Sequence, residues 1–144
     1  MFELIVAIGV VSVTLVAIVG LVSATIANST FTKNRTFAAR HTNDAIEWVR
    51  EQRDAGFSQL ASRGSSTGSY YCVPTLNWPA SAGQCSSSAS NQIPGTNFFR
   101  EVRLIYNAGS SPNEVEVQAA TYWKDSSGSH ESRASTIVSN WRTN

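Results

Sequence analysis

The fold is decided by one N-terminal stretch, FELIVAIGVVSVTLVAIVGLVSATIA, which covers residues 2–27 of the 144-residue chain. From Leu4 to Ala27 no residue is charged, and most are Val, Ile, Leu or Ala. About 20 such residues suffice to span the hydrocarbon core of a bilayer as a helix. A cleaved secretory signal fits less well, because its start should be basic and its apolar run shorter. The stretch therefore predicts a helix embedded in lipid or in other apolar protein.

From residue 28 onward the chain keeps its helical character but becomes amphipathic. Apolar side chains recur at spacings of three and four, at Ala38, Thr42, Ala45, Ile46, Val49, Phe57 and Leu60. Gly56 is expected to end the helix by taking the left-handed cap conformation. A continuous helix over residues 2–55 would be about 80 Å long. We therefore expect its apolar half to project from the domain that the rest of the chain forms.

Residues 57–97 are rich in Ser, Gly and Asn and contain both cysteines, Cys72 and Cys85. So polar a segment would bury two free thiols poorly, and a disulfide is the favoured interpretation. Such a bond also fits an extracytoplasmic location. Large side chains of this segment are expected to fill its interior rather than to bind a sugar or a partner. They are Tyr70, Tyr71, Leu76 and Trp78.

Three strands are predicted in residues 98–144, at 98–106, 114–123 and 133–141. The second alternates cleanly and places Val115, Val117, Ala119, Thr121 and Trp123 on one face. Short, turn-rich connections favour an antiparallel meander. The predicted fold class is α+β, with a long N-terminal helix packed against a three- to four-stranded antiparallel sheet. Residues 1–27 would be the apolar half of the helix and 28–56 its amphipathic half, which with 57–144 would form a globular head.

The sequence carries no recognisable catalytic constellation. It lacks a Gly-x-Ser-x-Gly elbow and a phosphate-binding loop. We expect no enzymatic activity, no cofactor and no metal site, and we expect His41 and His130 to be solvated. With 11 Lys and Arg against 10 Asp and Glu, the chain lacks the basic surplus that electrostatic binding of nucleic acid requires.

One resemblance rests on the start of the chain, Phe2-Glu3-Leu4-Ile5-Val6-Ala7-Ile8-Gly9. It resembles the start of a mature type IV pilin, where a Glu opens an apolar helix that continues into an amphipathic half. That Glu is the fifth residue in the family and the third here, and the family's basic leader is absent. We interpret the sequence as a mature or slightly truncated form. Gly20 lies where many pilins carry a proline, so residues near 12–20 either pack closely or lose helical structure on assembly.

The resemblance implies a structural subunit that assembles helically into a surface filament and resides in the cytoplasmic membrane beforehand. Its implied partners are further copies of the chain, the membrane, a prepilin peptidase and the pilus assembly machinery. N-terminal methylation and roles in adhesion or motility are implied as well. Glu3 would be neutralised by a chain-terminal amine of its own or a neighbouring subunit, which would set the register of assembly. The filament core would contain Phe2, Leu4, Ile5, Ile8, Val11, Leu15, Ile18 and Leu21.

Two alternatives stay open. Within the family, the chain would be a minor pilin or a type II secretion pseudopilin. In a different class, it would be a membrane-anchored extracellular binding module, such as a lectin-like domain. A filament would bury Glu3 in protein, whereas a lone anchor would leave it at the membrane interface. The basic residues that follow the span, Lys33, Arg35 and Arg40, favour a cytoplasmic location for that end, but the expected disulfide and leader are taken to override them.

Overall fold

The computed structural model describes residues 2–107, 109 and 113–140. One long helix, α1, covers Phe2–Arg63, and a short 3-10 helix covers Ala89–Asn91. The strands are β1 (Ser69–Cys72), β2 (Phe99–Asn107), β3 (Glu114–Asp125) and β4 (Gly128–Ser139). They form one antiparallel sheet in the order β1-β2-β3-β4. The fold is α+β, which confirms the predicted class.

The chain divides into two compact units, residues 1–34 and 35–144. In the first unit, helical structure runs through every described residue. Several of its hydroxyl groups donate hydrogen bonds to backbone carbonyls one turn earlier, as Ser12 does to Ile8 and Thr25 does to Leu21, at 2.8 and 2.9 Å. Because these polar groups are satisfied within the helix, they add little polarity to its surface.

In the second unit, the amphipathic part of α1 packs against the inner face of the sheet. The predicted stripe is confirmed, since all its members are buried except Phe57, which is partly buried against the core. The inner face of β3 is also as predicted, with all five alternating residues buried. Polar contacts also join the helix to the sheet: the Oγ1 of Thr42 lies 2.9 Å from the Oγ1 of Thr121, and the hydroxyl of Tyr71 donates to the carbonyl of Arg63 at 2.8 Å.

The predicted break at Gly56 is confirmed, but the helix does not end there, because a second helical segment follows the kink. The backbone of Gly56 is extended, with φ 175° and ψ 99°, and is not in the left-handed conformation that we expected. The helix resumes and continues to Arg63, because Leu60 and Ala61 are buried in the core beyond the break. Tertiary packing thus stabilises the short helical segment after Gly56, which helix propensity alone would not hold.

The first and the last strand of the sheet differ from the prediction. β1 lies inside the segment that was predicted to be a loop, and it pairs with β2 through registers such as Tyr71 with Val102. β4 begins at Gly128, five residues early, because the tight turn after Asp125 lets pairing start at once. Gly128 has φ 131°, a conformation that favours glycine. Trp141, the predicted last residue of β4, lies outside the described residues.

Candidate functional site

Large apolar side chains are exposed all around the helix of the first unit. Phe2 is 82% exposed and Val16 is 74% exposed. The helix is long and apolar enough to cross a membrane, and none of its most apolar window is buried. A surface of this kind is stable only when lipid or other protein covers it. All predicted filament-core residues belong to it: Phe2, Leu4, Ile5, Ile8, Val11, Leu15, Ile18 and Leu21.

The sequence predicts particular roles for two positions of this helix, Glu3 and Gly20. Glu3 lies in the first turn of α1, where the helix dipole favours a negative charge. The next charged residue in sequence, Lys33, is about 45 Å further along the helix at 1.5 Å per residue. Gly20 is helical, and a Cβ built there would meet nothing within 4 Å in this chain. Loss of helix around Gly20 on assembly stays a prediction.

The two cysteines form the predicted disulfide, Cys72–Cys85. Cys72 is the last residue of β1, and the backbone N–H of Cys85 donates a 3.1 Å hydrogen bond to the Oε2 of Glu101. Beside it, the N–H of Gly83 donates to the carbonyl of Tyr70 at 2.7 Å. The crosslink and these hydrogen bonds hold the segment that begins at Gly83 against the outer side of the sheet.

Loss of the disulfide is expected to destabilise the second unit by about 3 kcal/mol, because the crosslink limits the freedom of the unfolded chain. The double variant Cys72→Ser/Cys85→Ser should therefore unfold at lower urea concentration. Full-length protein in detergent micelles can be followed by the fluorescence of Trp48 and Trp78, whose rings lie 4.5 Å apart in the core. Wild-type protein under reducing conditions should match the variant. Superimposable curves for oxidised wild type and variant would contradict this expectation.

The aromatic residues near the disulfide fill the loop interior, with one exception. Trp78 contacts Trp48 and Tyr71, and its Nε1 donates to the Oε1 of Gln52 at 2.9 Å. Leu76 packs against the same core. Tyr70 was expected in this group but lies on the opposite face of β1, where the guanidinium of Arg103 is 5.1 Å from its ring.

Both histidines are partly buried, so the expectation that they are solvated is wrong. The ring of His41 lies 5.6 Å from that of Phe98. Burial, followed by the nearby charge of Arg100, lowers the pKa of His41. The Nε2 of His130 lies 2.9 Å from the Oδ1 of Asp125, and this hydrogen bond lowers the pKa of that carboxyl group. Among the described residues, no group of three or more His, Cys, Asp or Glu could hold a metal ion.

Glu101 is a buried acid that sequence reasoning missed, because β2 reads as an ordinary alternating strand. It is 7% exposed and lies beneath the segment that follows Gly83. Burial raises the pKa of its carboxyl group, although the hydrogen bond from Cys85 opposes this effect. The folded protein therefore binds a proton at Glu101 more readily than the unfolded chain does.

The substitution Glu101→Gln is expected to raise the free energy of unfolding at neutral pH. At acidic pH, the same substitution should raise it by a smaller amount. The amide can still accept the hydrogen bond from Cys85 but carries no charge to bury. In wild type, burying the charged carboxylate lowers the free energy of unfolding. This penalty shrinks as the pH falls through the raised pKa of Glu101 toward the ordinary value near 4.5. The free energies of unfolding of the two proteins should therefore converge at acidic pH. Urea unfolding between pH 7 and pH 4 measures the difference. The exposed Glu51→Gln is the matched control, and a difference independent of pH would refute the explanation.

No protein-family model matches this chain, and no curated protein or solved structure matches it either. The fold and the exposed helix define a class nonetheless: an α+β protein with a membrane-compatible N-terminal helix and a disulfide-closed sheet domain.

Proposed function

We propose that this protein is a structural subunit of a type IV pilus or a closely related filament, and that it assembles through its N-terminal helix. The observation that carries the proposal is the apolar surface that surrounds residues 2–27. Such a surface needs a cover on every side of the helix. Lipid provides that cover for a single membrane-inserted chain, and helices of neighbouring subunits provide it in a filament.

Glu3 favours the filament over a lone anchor. A carboxylate in an apolar environment is penalised by several kcal/mol unless it is paired. Among the side chains of the described residues, the first cation that follows Glu3 along the helix is Lys33, about 45 Å away. A chain-terminal amine, of the same chain or of a neighbouring subunit in the filament, would supply the pairing charge, as the resemblance to pilins implies. A subunit that enters out of register would leave this carboxylate unpaired, so the same charge would also specify the register.

Small residues in the apolar segment support close packing between helices. A Cβ at Gly9 or Gly20 would meet nothing within 4 Å in this chain. Their surfaces are therefore open to a neighbouring helix, and glycine lets two backbones approach closely in an apolar medium. The same helix would leave the membrane and enter the filament by exchanging lipid contacts for protein contacts.

The second unit supports an extracellular location for the sheet domain. This unit contains the Cys72–Cys85 disulfide. Disulfides persist in oxidising compartments and are rare in the cytoplasm. In the proposed filament, the apolar helices form the core and the disulfide-closed domains form the outer layer. A prepilin peptidase and an assembly machinery would act on the subunit beforehand.

Electron microscopy of filaments sheared from cells that produce this protein tests the proposal, with mass spectrometry of the dominant protein band. We expect helical filaments whose principal band is this chain. A minor subunit would instead appear as a weak band in filaments built from another protein. Recovery of the chain only from membranes, with none in sheared filaments, would refute the proposal and favour the anchored binding module.

A further inference from the structure

The outer face of the sheet carries polar side chains in rows that cross several strands. Because residues alternate between faces, positions two apart on a strand lie on the same face. The strand registers align Tyr70, Arg103, Gln118 and Ser135 in one row, Glu101, Ala120 and Arg133 in the next, and Tyr122 with Glu131 in a third. Directly opposed side chains lie about 5 Å apart, so these residues form one continuous polar surface.

A depression lies in the middle of this surface, at Ala120. Its methyl group stands between the longer side chains of Glu101 and Arg133 on the neighbouring strands, and between Gln118 and Tyr122 on its own strand. A cavity of about 410 Å³ opens above it. That volume falls within the range of about 300–1,000 Å³ that is typical of small-molecule sites.

Arg103 is held in position at one side of the depression. Its Nη2 donates a 2.6 Å hydrogen bond to the carbonyl of Thr67, and its Nη1 lies 3.4 Å from the Oε1 of Gln118. Gly68 has φ 89°, and a Cβ there would collide with the guanidinium. The Nε of Arg103 is buried without a hydrogen-bond partner among the described residues. The guanidinium is thus fixed at the edge of the depression although one of its donors is unpaired among the described residues.

The opposite side of the depression is also polar, and its charges balance. An Nη2 of Arg133 lies 2.9 Å from the Oε2 of Glu131. Arg103, Arg133 and Glu101 line the cavity, and Glu131 pairs with Arg133 from outside it, so two guanidinium groups and two carboxylates lie in or beside the rim. An anion or a cation thus gains little from the net field of this surface, whereas a neutral ligand meets donors and acceptors on several sides.

A second cavity, of about 630 Å³, adjoins the first and extends toward the turn between β3 and β4. The two share Gln84, Glu101 and Tyr122 as lining residues. The second is rich in hydroxyl and amide side chains, and Lys124 and His130 also line it; the uncharged polar residues are Ser86, Ser87, Gln92, Asn97 and Ser129. The polar depression is therefore one end of an elongated groove, which suits a ligand built of several similar units.

We propose that this groove binds a neutral oligosaccharide, with one sugar ring seated over Ala120 and the next toward Ser129. Sugar hydroxyls donate and accept hydrogen bonds, as do the amide of Gln118 and the hydroxyl of Ser135. The rings of Tyr70 and Tyr122 offer apolar surface to the C–H groups of the sugar. An apolar ligand would leave the buried polar groups unpaired. The site contains no residue of the apolar helix on which the proposed function rests, because every residue in it belongs to the second unit.

Saturation-transfer NMR with full-length protein in phosphocholine-headed micelles tests the site, since sugar-headed detergents would compete for it. The probes are maltose, lactose and N,N′-diacetylchitobiose, with glucuronate and inorganic phosphate as anionic comparisons. We expect saturable binding of at least one neutral disaccharide, with a dissociation constant on the order of 1 mM or tighter. Neither anion should compete with it. Absence of binding by all three disaccharides, or tighter binding of an anion, would overturn the proposal.

Substitutions locate the bound sugar on this face. Ala120→Leu fills the depression, and Gln118→Ala removes a hydrogen-bonding group without adding bulk; each is expected to weaken binding about tenfold or more. Ile137→Ala is the matched control, because Ile137 is exposed on β4 and does not line either cavity. An intact disulfide and an unchanged urea midpoint establish that each variant is folded. If Gln118→Ala and the control bind equally well, the proposed site is wrong.

Discussion

Filament yield is expected to fall by a factor of about a hundred or more when Glu3 is replaced by valine, while the protein stays folded and inserted in the membrane. Removing one partner of a buried charge pair costs about 3–5 kcal/mol, because the remaining charge is left uncompensated. Each 1.4 kcal/mol corresponds to about a tenfold change in an equilibrium constant. Insertion should survive, since valine is more apolar than glutamate. Quantitative immunoblots of sheared filaments and of membranes measure the two effects separately.

A set of variants separates charge from side-chain size at this position. Glu3→Gln keeps the size and removes the charge, so it should resemble valine, whereas Glu3→Asp keeps the charge and should retain part of the yield. Thr14→Val is the matched control within the same segment, because the hydroxyl of Thr14 donates to the carbonyl of Val11 in its own helix. Wild-type filament levels from Glu3→Val at normal expression would return Glu3 to the membrane interface.

Deletion of residues 1–34 is expected to convert the protein into a soluble monomer that forms no filaments. The buried clusters of the second unit begin at Ala38, so its core is complete without the deleted segment. The deletion also removes the exposed apolar side chains that require lipid or protein cover. Size-exclusion chromatography, circular dichroism and the mass of the oxidised protein test for a folded monomer.

A longer deletion provides the contrast. Removal of residues 1–45 takes away Ala38, Thr42 and Ala45, which are all fully buried, and should unfold the domain or make it aggregate. The two truncations together separate loss of assembly from loss of folding. If residues 35–144 alone polymerised into the same filaments, assembly would not depend on the N-terminal helix and the proposed filament core would be wrong.

Several features of this protein could be predicted from its sequence because their causes are local. Hydropathy and length alone identify the apolar segment after Glu3, and spacing alone identifies the buried stripe of the amphipathic helix and the inner face of β3. The pairing of Cys72 with Cys85 required no geometry, since the chain has only two cysteines. The roles of Glu3 and of the filament-core residues stay predictions, which rest on the uncharged run and on the resemblance to pilins.

Other features were decided only by the tertiary structure. The four residues of β1 carry too little pattern to be recognised, and they become a strand because β2 offers its edge for pairing. The helix continues past Gly56 because Leu60 and Ala61 find a core to enter. The polar groove exists because strand register brings Glu101, Ala120 and Arg133 side by side from distant parts of the chain. Local patterns report which residues are apolar or flexible, whereas register and packing depend on the free energy of the whole folded domain.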